Sequence, residues 1–414
     1  MEDLLLLVHR MPYPPNKGDK IRSWHLLKHL AQRYRVHLAT FVDDADDWQH
    51  VPAVQAVCAS SHFAPLSPRG ARVRSLGAVL RNRSLSYDYY RDAGLRAWVD
   101  NTMRQHGIER IVVFSSPMAQ YAEAWPQARR IVDFCDVDSD KWRQYAERKP
   151  WPASMIFDYE AKRLLRYERQ IAAGCDASLF VSAPEAELFR GLAPESVARI
   201  GWFSNGVDTA YFAPGDYASP YAAGELPLVF CGAMDYWPNI DAVQWFAAEV
   251  LPALRARHPA VRFVIAGARP APEVQALAAQ PGITVTGTVP DVRPYVAHAA
   301  LSVAPLRVAR GIQNKVLEAM AMAQAVLVTP QALEGIEAEP GRDLLLAASA
   351  AQWIEAAAAA LAGPAAARAQ LGQAARQRVE AAYSWDARLA PLDRMIETPA
   401  ARNGAAAPAQ WTTA

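Results

Sequence analysis

Two oppositely charged side chains lie at the start of a short apolar helix in the second half of the chain. The stretch RGIQNKVLEAMAMAQAVLVTP, residues 310–330, is predicted to form a loop, a helix capped by Asn314 and a buried strand. Lys315 falls in the first helical turn and Glu318 one turn later. Free helix amides beside a cation suit a phosphate, and a carboxylate can accept hydrogen bonds from a ribose diol. A lysine there opposes the helix dipole and is a poor choice for stability alone, although a solvated surface pair is the alternative.

A cluster of carboxylates follows a predicted strand in the first half of the chain. Asp136 and Asp138 come directly after residues 131–134. At the carboxyl end of a strand they could contact sugar hydroxyls or serve as general base for an acceptor hydroxyl. The alternative is a helix start before DKWRQYA, where Asp138 or Ser139 would be the cap. The sequence leaves both interpretations open.

A basic segment lies near the amino terminus, before both of these regions in the sequence. No Asp or Glu occurs from Trp48 to Tyr87, and apolar residues are interleaved with arginines. The basic side chains are Arg69, Arg72, Arg74, Arg81 and Arg83. A basic amphipathic segment can lie on an anionic membrane surface, and the alternative is a solvated basic helix.

The composition bounds the class of protein. A chain of 414 residues is too long for one ordinary core, so two domains are expected. A net charge of +1 gives no basic footprint for nucleic acid. The four cysteines show neither metal nor disulfide spacing, which fits a reduced compartment. The opening MEDLLLLVHR is predicted to be a strand rather than a signal peptide, and no apolar run is long enough to span a membrane, so a cytoplasmic protein is expected.

The elements that must position these residues follow an alternating strand and helix pattern. Residues 4–9, 21–34 and 36–42 are predicted to form a strand, a helix and a strand, which opens a parallel doubly wound sheet. A linker rich in Gly, Pro, Asn and Asp follows, and then a second series. The other predicted strands are 111–114, 131–134, 177–182, 228–232, 261–267, 283–287, 301–305 and 325–328, and the other predicted helices include 153–172, 240–257 and 291–298.

Several of these stretches together resemble a known family, and the likeness extends over about residues 3–397. The motifs, in order, are PYPPNKGDKIRSWHLLKHLA, VDFCDVDSDKW, SNGVDTAYFAP, FCGAMDYWPNIDAVQWF, GTVPDVRPYVAHAALSVAPL, RGIQNKVLEAMAMAQAVLVTP and YSWDARL. The set resembles GT-B glycosyltransferases of the retaining, family 4 type. Within that group it is similar to sugar transferases linked to exosortase (PEP-CTERM) and exopolysaccharide loci of Gram-negative bacteria.

The resemblance implies an α/β fold of the GT-B type, with two Rossmann-like parallel-sheet domains facing across a cleft. The expected organisation has an acceptor-binding domain over 1–205, a linker over 206–226 and a nucleotide-sugar-binding domain over 227–382. A helix over 383–397 is expected to cross back and pack on the first domain, followed by a disordered tail over 398–414.

The resemblance also assigns expected roles to residues of the second domain. Glu318 would bind the ribose hydroxyls, in agreement with the local interpretation. Val289 would lie against the base, and Gly232 and Asp235 would lie near the donor, Asp235 approaching the sugar or the acceptor. In the first domain, Gly18 would let the backbone approach the donor phosphates.

The sequence departs from the family at three places. Arg310 occupies a position where the family commonly has an acid near the donor sugar. The loop after the first strand of the second domain lacks its usual cations, so we infer that positive charge has moved to Arg310 and Lys315, with Arg307 as a helper. Asn239 in that loop is expected to cap the next helix, and the alternative is that it contacts the substrate.

The third departure concerns the first domain. The stretch 133–139 lacks the histidine that many relatives place near the transferred sugar, which makes Asp136 and Asp138 the catalytic candidates. Arg22, in the turn after the first loop, is expected to reach the cleft.

The expected activity is therefore sugar transfer from a nucleotide-diphosphate sugar to a glycan or lipid-linked acceptor, with retention at the anomeric carbon. No cofactor, metal or nucleic acid is expected. The expected location is the cytoplasm, with peripheral attachment to the inner face of the inner membrane as a further expectation. The alternatives are a nucleotide-sugar epimerase and a catalytically degenerate GT-B protein that binds nucleotide-sugar and scaffolds a polysaccharide assembly complex.

Overall fold

The computed structural model describes residues 1–15, 18–148, 150–309 and 312–398, without the side chains of Leu76 and Arg148. These residues form two compact units. Unit 1 joins Met1–Asn205 to the described residues from Arg388 onward, and unit 2 is Gly206–Ala387. Each unit has its own parallel sheet covered by helices, which confirms the prediction of two parallel-sheet α/β domains.

Unit 1 contains a seven-stranded parallel sheet in the order β3-β2-β1-β4-β5-β6-β7. Its strands are β1 Glu2–Val8, β2 Tyr34–Val42, β3 Ser60–Pro65, β4 Arg110–Phe114, β5 Arg129–Cys135, β6 Ala177–Phe180 and β7 Ile200–Trp202. Its helices are α1 Gly18–Ala31, α2 Val51–Gln55, α3 Pro68–Leu80, α4 Leu85–Tyr89, α5 Ala93–His106, α6 Asp138–Arg148, α7 Ala153–Gly174 and α8 Ala183–Leu192.

Unit 2 contains a six-stranded parallel sheet in the order β10-β9-β8-β11-β12-β13. Its strands are β8 Leu226–Cys231, β9 Val261–Ala266, β10 Ile283–Gly287, β11 Leu301–Ala304, β12 Val326–Val328 and β13 Leu345–Leu346. Its helices are α9 Trp237–Trp245, α10 Leu251–Arg257, α11 Pro272–Ala276, α12 Arg293–Ala297, α13 Asn314–Ala321, α14 Pro330–Leu333, α15 Ala350–Ala362 and α16 Ala365–Ala382. A last helix, α17 Trp385–Glu397, begins in unit 2 and continues into unit 1.

The central strands are apolar because both of their faces are covered. Leu4 to Leu7 in β1 are completely buried, as expected for a strand in the middle of a parallel sheet. Each such leucine contributes about 2 kcal/mol relative to an exposed one. The apolar runs that predicted these strands therefore also form the core that fixes their carboxyl ends.

The predicted elements differ from the structure in a few places. The strands β3, β7 and β13 were not predicted. Half of the residues of β3 are polar and most are only half-buried, and the other two strands are only three and two residues long. The predicted helix over 240–257 begins earlier, at Trp237, and a π-helical turn over Phe246–Val250 interrupts it before Pro252. None of the described helices has the length and apolar character needed to cross a membrane.

Helix α7 carries two completely buried glutamates that hold other helices by their first turns. Glu160 accepts hydrogen bonds from Ser84 Oγ at 2.7 Å and from the backbone amide of Ser86 at 3.0 Å, at the start of α4. Glu168 accepts from Ser139 Oγ at 2.5 Å and from its amide at 3.3 Å, at the start of α6. Helix amino termini have unpaired amides that donate hydrogen bonds to carboxyl oxygens. The second contact positions the residues that follow β5.

Candidate functional site

Helix α13 places Lys315 and Glu318 at half-buried positions of unit 2, after strand β11. Its inner face consists of Val316, Leu317 and Met320, which are buried. The cap residue is Gln313, and no side-chain capping bond is present. The prediction that Asn314 caps this helix is therefore wrong, since Asn314 is already helical and its side chain is exposed.

The Lys315 ammonium group is held against the loop that follows β8. Its Nζ donates to Asn239 Oδ1 at 2.7 Å and lies 4.8 Å from the centre of the Phe230 ring. A Cβ atom on Gly232 would lie 3.4 Å from Lys315 Cε and 2.8 Å from Asn239 Nδ2. The ammonium group of Lys315 therefore lies close to Gly232, in a loop that has no cation of its own.

Asn239 has a different role from the predicted one. The cap of α9 is Tyr236, and Asn239 lies inside the first turn with its side chain buried. Its Nδ2 donates to the carbonyl oxygen of Ala233 at 2.8 Å, while its Oδ1 accepts from Lys315. The prediction of a helix cap is wrong, because this amide instead fixes the loop and the lysine together.

Burial brings the pKa values of the two charged groups on α13 close together, because it lowers that of the lysine and raises that of the glutamate. Burial lowers the pKa of Lys315 to about 8, against the attraction of Glu318. Burial raises the pKa of Glu318 to about 7, against the attraction of Lys315. No residue in the described part of the chain hydrogen-bonds the Glu318 carboxylate. Opposed shifts of this kind in neighbouring groups are typical of functional sites.

A close backbone contact forms the floor beneath Lys315. A Cβ atom on Gly267, which follows β9, would lie 1.6 Å from the carbonyl oxygen of Gly232. The two glycines let the strand ends approach each other, which no side chain at position 267 would allow. Gly232 has a structural reason of its own to be glycine, because its Cβ atom would lie 2.8 Å from Asn239 Nδ2.

The remaining predicted donor residues are more dispersed. The exposed Asp235 pairs with Arg269 Nε at 2.5 Å, and Val289 is half-buried in the turn after β10. Arg307 donates from Nε to Asp241 at 2.9 Å. Gly18 is the first residue of α1, where a Cβ atom would meet no atom of the described residues within 4 Å, so their packing does not require glycine there.

Some predicted residues fall outside the described part of the chain. These are Arg310 and the predicted tail beyond residue 398.

In unit 1, Asp136 and Asp138 share one cation at the carboxyl end of β5. Lys141 Nζ lies 2.6 Å from an oxygen of Asp136 and 3.2 Å from one of Asp138. Burial raises the pKa of Asp138 and outweighs the attraction of Lys141. The cap interpretation for Asp138 or Ser139 is wrong, because both are inside α6 and Glu168 binds its first turn. The structure places the two carboxylates together on the surface of unit 1.

His9 is a candidate that the sequence interpretation missed. It follows β1, and its Nε2 lies 3.5 Å from Asp19 while its ring stacks on Phe114 at 5.6 Å. Its Nδ1 is buried without a hydrogen-bond partner among the described residues. It follows the carboxyl end of β1, and only β4 separates β1 from β5, the strand that the carboxylate pair follows. The available signal was a histidine at the carboxyl end of the first strand, where parallel sheets bind ligands.

Arg22 is part of the interior of unit 1. Its guanidinium is 1% exposed and contacts both oxygens of Asp133, at 2.7 and 3.1 Å. The same group donates to the carbonyl oxygen of Phe203 at 3.1 Å and to Asn205 Oδ1 at 2.9 Å. The expectation that Arg22 reaches a cleft is wrong, because these four hydrogen bonds use the guanidinium to join α1, β5 and the chain after β7.

The five arginines of the basic segment are all exposed on and after α3. Three apolar residues of the same helix, Val73, Val79 and Leu80, are exposed as well. The segment therefore presents both kinds of side chain to solvent.

Comparison with known proteins gives the class of this fold. Residues 225–363 match the family described as glycosyl transferases group 1. The chain is similar to a sucrose-phosphate synthase from Thermosynechococcus elongatus, with 18% identity, a TM-score of 0.60, and coverage of 95% of this chain and 98% of that one. It is also similar to a glycosyltransferase from Rickettsia africae, with 12% identity, a TM-score of 0.63, and coverage of 97% and 100%.

A third similar structure is HepE from Anabaena in complex with UDP. The identity is 12%, the TM-score 0.59, and the coverage 96% of this chain and 100% of that one. No curated protein sequence matches the chain. The fold is thus GT-B, and with its group 1 domain the protein is a glycosyltransferase. The matched segment contains Gly232, Asn239, Lys315 and Glu318.

Proposed function

We propose that the protein transfers a sugar, with retention, from a nucleotide-diphosphate sugar bound by unit 2. The observation that carries this proposal is the Lys315 ammonium fixed by Asn239 above Gly232. A half-buried cation carried by the first turn of α13 is arranged to stabilise a departing diphosphate. Glu318, one turn further on, has acceptor oxygens that suit the ribose diol. Arg310 is proposed as a second diphosphate ligand.

The proposed reaction proceeds by internal return. The bond between the anomeric carbon and the diphosphate oxygen breaks, and the acceptor oxygen bonds the same carbon on the same face. The acceptor proton passes to the leaving phosphate oxygen, so no protein nucleophile is required. Lys315 stabilises the charge that develops on the diphosphate, which supports a reaction without a divalent metal.

On the acceptor side, the residues at the carboxyl ends of β1 and β5 are proposed to hold a glycan. Asp136 and Asp138 offer carboxylate oxygens to sugar hydroxyls, and His9 offers its buried, unpartnered nitrogen. The resemblance to exosortase-linked sugar transferases leads us to propose exopolysaccharide synthesis as the setting.

A membrane-bound acceptor is supported by the surface around α3. Tyr159 of α7 donates from its hydroxyl to the carbonyl oxygen of Arg83 at 3.0 Å, so the start of α7 lies beside the basic segment. Exposed apolar side chains occur on both elements: Val73, Val79 and Leu80 on α3, and Met155 and Ile156 on α7. Apolar residues flanked by arginines suit an anionic lipid surface. We therefore propose peripheral attachment to the cytoplasmic face of a membrane.

The donor proposal is tested by thermal unfolding of the full chain with UDP-, GDP- and ADP-sugars. UDP-sugars come first, because HepE binds UDP and UDP-glucose. A ligand at about 100 times its Kd stabilises a protein by about 2.7 kcal/mol, so one nucleotide should raise the melting temperature clearly. Glu318→Gln should reduce that rise, and the surface variant Glu273→Gln should not. No rise with any nucleotide would refute the proposal.

Turnover separates the transferase from its alternative. Product formation with a panel of donors and glycan acceptors is expected. Nucleotide-sugar binding without any turnover would instead favour the catalytically degenerate GT-B protein that scaffolds an assembly complex.

Membrane attachment is tested by flotation with anionic liposomes. A variant with the five arginines changed to glutamine should lose binding, and the matched variant with five lysines should retain it. Equal binding by the glutamine variant would refute the membrane proposal.

A further inference from the structure

Three side chains with metal-binding atoms meet at the amino-terminal edge of the unit 1 sheet. They are Asp3 of β1, His37 of β2 and His106, the last residue of α5. One ligand atom from each lies within 4.8 Å of the other two. His37 Nε2 is 2.7 Å from Asp3 Oδ1, and the two imidazole rings are 4.4 Å apart.

The strand register creates this cluster. Asp3 pairs with Arg35, and His37 comes two residues later on β2, so both side chains project from the same face of the sheet. His37 pairs in turn with Ser60 of β3. Helix α5 brings His106 to the same edge before Gly107 ends the helix in the left-handed conformation.

A further contact fixes the orientation of the buried His37 ring. Ser60 Oγ lies 2.7 Å from His37 Nδ1, which leaves Nε2 directed at Asp3. Metal-binding histidines typically have their second ring nitrogen held by such a partner. His37 is 1% exposed, whereas Asp3 and His106 are half-buried, so an ion could enter from the solvent side.

We propose that Asp3, His37 and His106 form a binding site for a divalent transition-metal ion of the Zn²⁺ type. Imidazole and carboxylate ligands suit this class of ion, and three protein ligands leave a fourth, tetrahedral position for water. Ligand atoms about 2.1 Å from one ion lie about 3.4 Å apart. The 2.7 Å contact between His37 Nε2 and Asp3 Oδ1 must therefore open by roughly 0.7 Å, and His106, within 4.8 Å of both, must move inward by at most about 1.4 Å. His106 can supply that movement because it is half-buried at a helix end.

The site has a structural role in this proposal. It lies at the amino-terminal ends of β1 and β2, whereas His9 and the carboxylate pair follow the carboxyl ends of their strands. A bound ion would link β1, β2 and α5, and it would not take part in sugar transfer. The proposal is therefore independent of the proposed function.

Arg35 lies next to Asp3 and should compete with a metal ion for its carboxylate. Its Nε lies 3.5 Å from Asp3 Oδ1, and the side chain is largely exposed. The guanidinium competes with an incoming cation for the same carboxylate. Arg35→Gln should therefore tighten metal binding, although it adds no ligand.

The test is titration of the full chain with Zn²⁺ by calorimetry and with Co²⁺ by visible absorption. A tetrahedral Co²⁺ spectrum without thiolate bands is expected, because the cluster contains no cysteine. Zn²⁺ at about a hundredfold excess over its Kd should raise the melting temperature by on the order of 5 °C. Ser60→Ala should weaken binding by about 10–100-fold, and Asp3→Asn and His106→Gln by more.

His258→Gln, in unit 2, is the matched control and should bind as the unaltered protein does. These variants avoid the fully buried His37, so that a folding defect does not obscure the result. Absence of metal binding in the unaltered protein would overturn the proposal. Equal affinity in the Asp3 and His106 variants would overturn it too, because the ion would then bind elsewhere.

Discussion

Replacing Lys315 by methionine should change stability and nucleotide binding in opposite directions. Methionine retains most of the apolar stem of lysine and removes the ammonium group that contacts Asn239. In a purely structural ion site, loss of the charge would weaken the fold. In a site built for an anionic ligand, the charge is unfavourable until the ligand arrives.

The effect on stability follows from the pKa shift. Burial lowers the pKa of Lys315 from 10.5 to about 8 in the folded chain. The unfolded chain therefore binds the proton more tightly, and this group disfavours folding at neutral pH by up to about 3 kcal/mol. Partial exposure reduces that figure, and the unpaired Asn239 oxygen in the variant costs about 1 kcal/mol. Lys315→Met should thus be at least as stable as the unaltered protein at pH 7.

The difference should depend on pH in a defined direction. The contribution of Lys315 to stability rises as pH increases from about 8 to 10.5, because only the unfolded chain still holds the proton there. The variant lacks this rise. The unfolding free energies of the two proteins, measured in urea and plotted against pH, should therefore converge and then cross as the pH approaches 10.5.

The effect on binding has the opposite sign. A hydrogen bond to a charged group contributes about 1.5–3 kcal/mol, and each 1.4 kcal/mol is a factor of ten in affinity. Lys315→Met should weaken binding of the nucleoside diphosphate by about ten- to a hundredfold in calorimetry. Lys162→Met, which removes an exposed cation paired with Asp158, is the control and should change neither quantity. A less stable variant with unaltered nucleotide affinity would refute the reasoning.

Four other outcomes are expected. Nucleotide affinity should be highest between about pH 7 and 8, where Glu318 has lost its proton and Lys315 still holds one; a flat calorimetric profile would contradict this. Burial raises the pKa of Glu168 to about 8, so between pH 4.5 and about 8 the folded chain holds a proton that the unfolded chain has lost. The unfolding free energy of the unaltered protein should therefore fall by about 1.4 kcal/mol per pH unit over this range, and Glu168→Gln should remove that fall. Arg22→Met should cost about 3–5 kcal/mol in urea unfolding by leaving Asp133 unpaired, and a cost below 1 kcal/mol would contradict it. Gly267→Ala should unfold at markedly lower temperature, since its Cβ would overlap the Gly232 carbonyl; an unchanged melting temperature would contradict that.

The sequence predicted the parts of the fold that depend on local patterns. The continuous leucines of β1 and the alternating elements after it fix two parallel sheets, because a strand buried on both faces must be apolar throughout. The same kind of reasoning placed Lys315 and Glu318 at the start of a helix whose other face is buried. These inferences need only residues that are close in the chain.

The sequence did not predict contacts between distant residues. Asn239 and Lys315 are 76 positions apart, and each alone has an ordinary surface interpretation. Arg22 and Asp133, 111 positions apart, are likewise seen as a buried pair only when α1 lies on β5. Glu160 and Glu168 belong to a helix rich in charged residues, where nothing marks two carboxylates as buried. Whether a charged side chain is buried depends on which helices and strands pack together, and this packing cannot be inferred from a single sequence.

The two candidate regions share one physical arrangement. In each, a polar group on another element holds the first turn of the helix that carries the charged residues: Asn239 holds Lys315 on α13, and Glu168 holds Ser139 on α6. An exposed lysine or aspartate would lose side-chain entropy on meeting a ligand, whereas one fixed in advance has lost it on folding. Fixing the charge requires partial burial, which is why the pKa of Lys315 falls and that of Asp138 rises. The desolvation penalty of the Lys315 charge is already present in the free protein. An anion that binds at Lys315 offsets this penalty, so the pKa of the lysine should be higher in the complex.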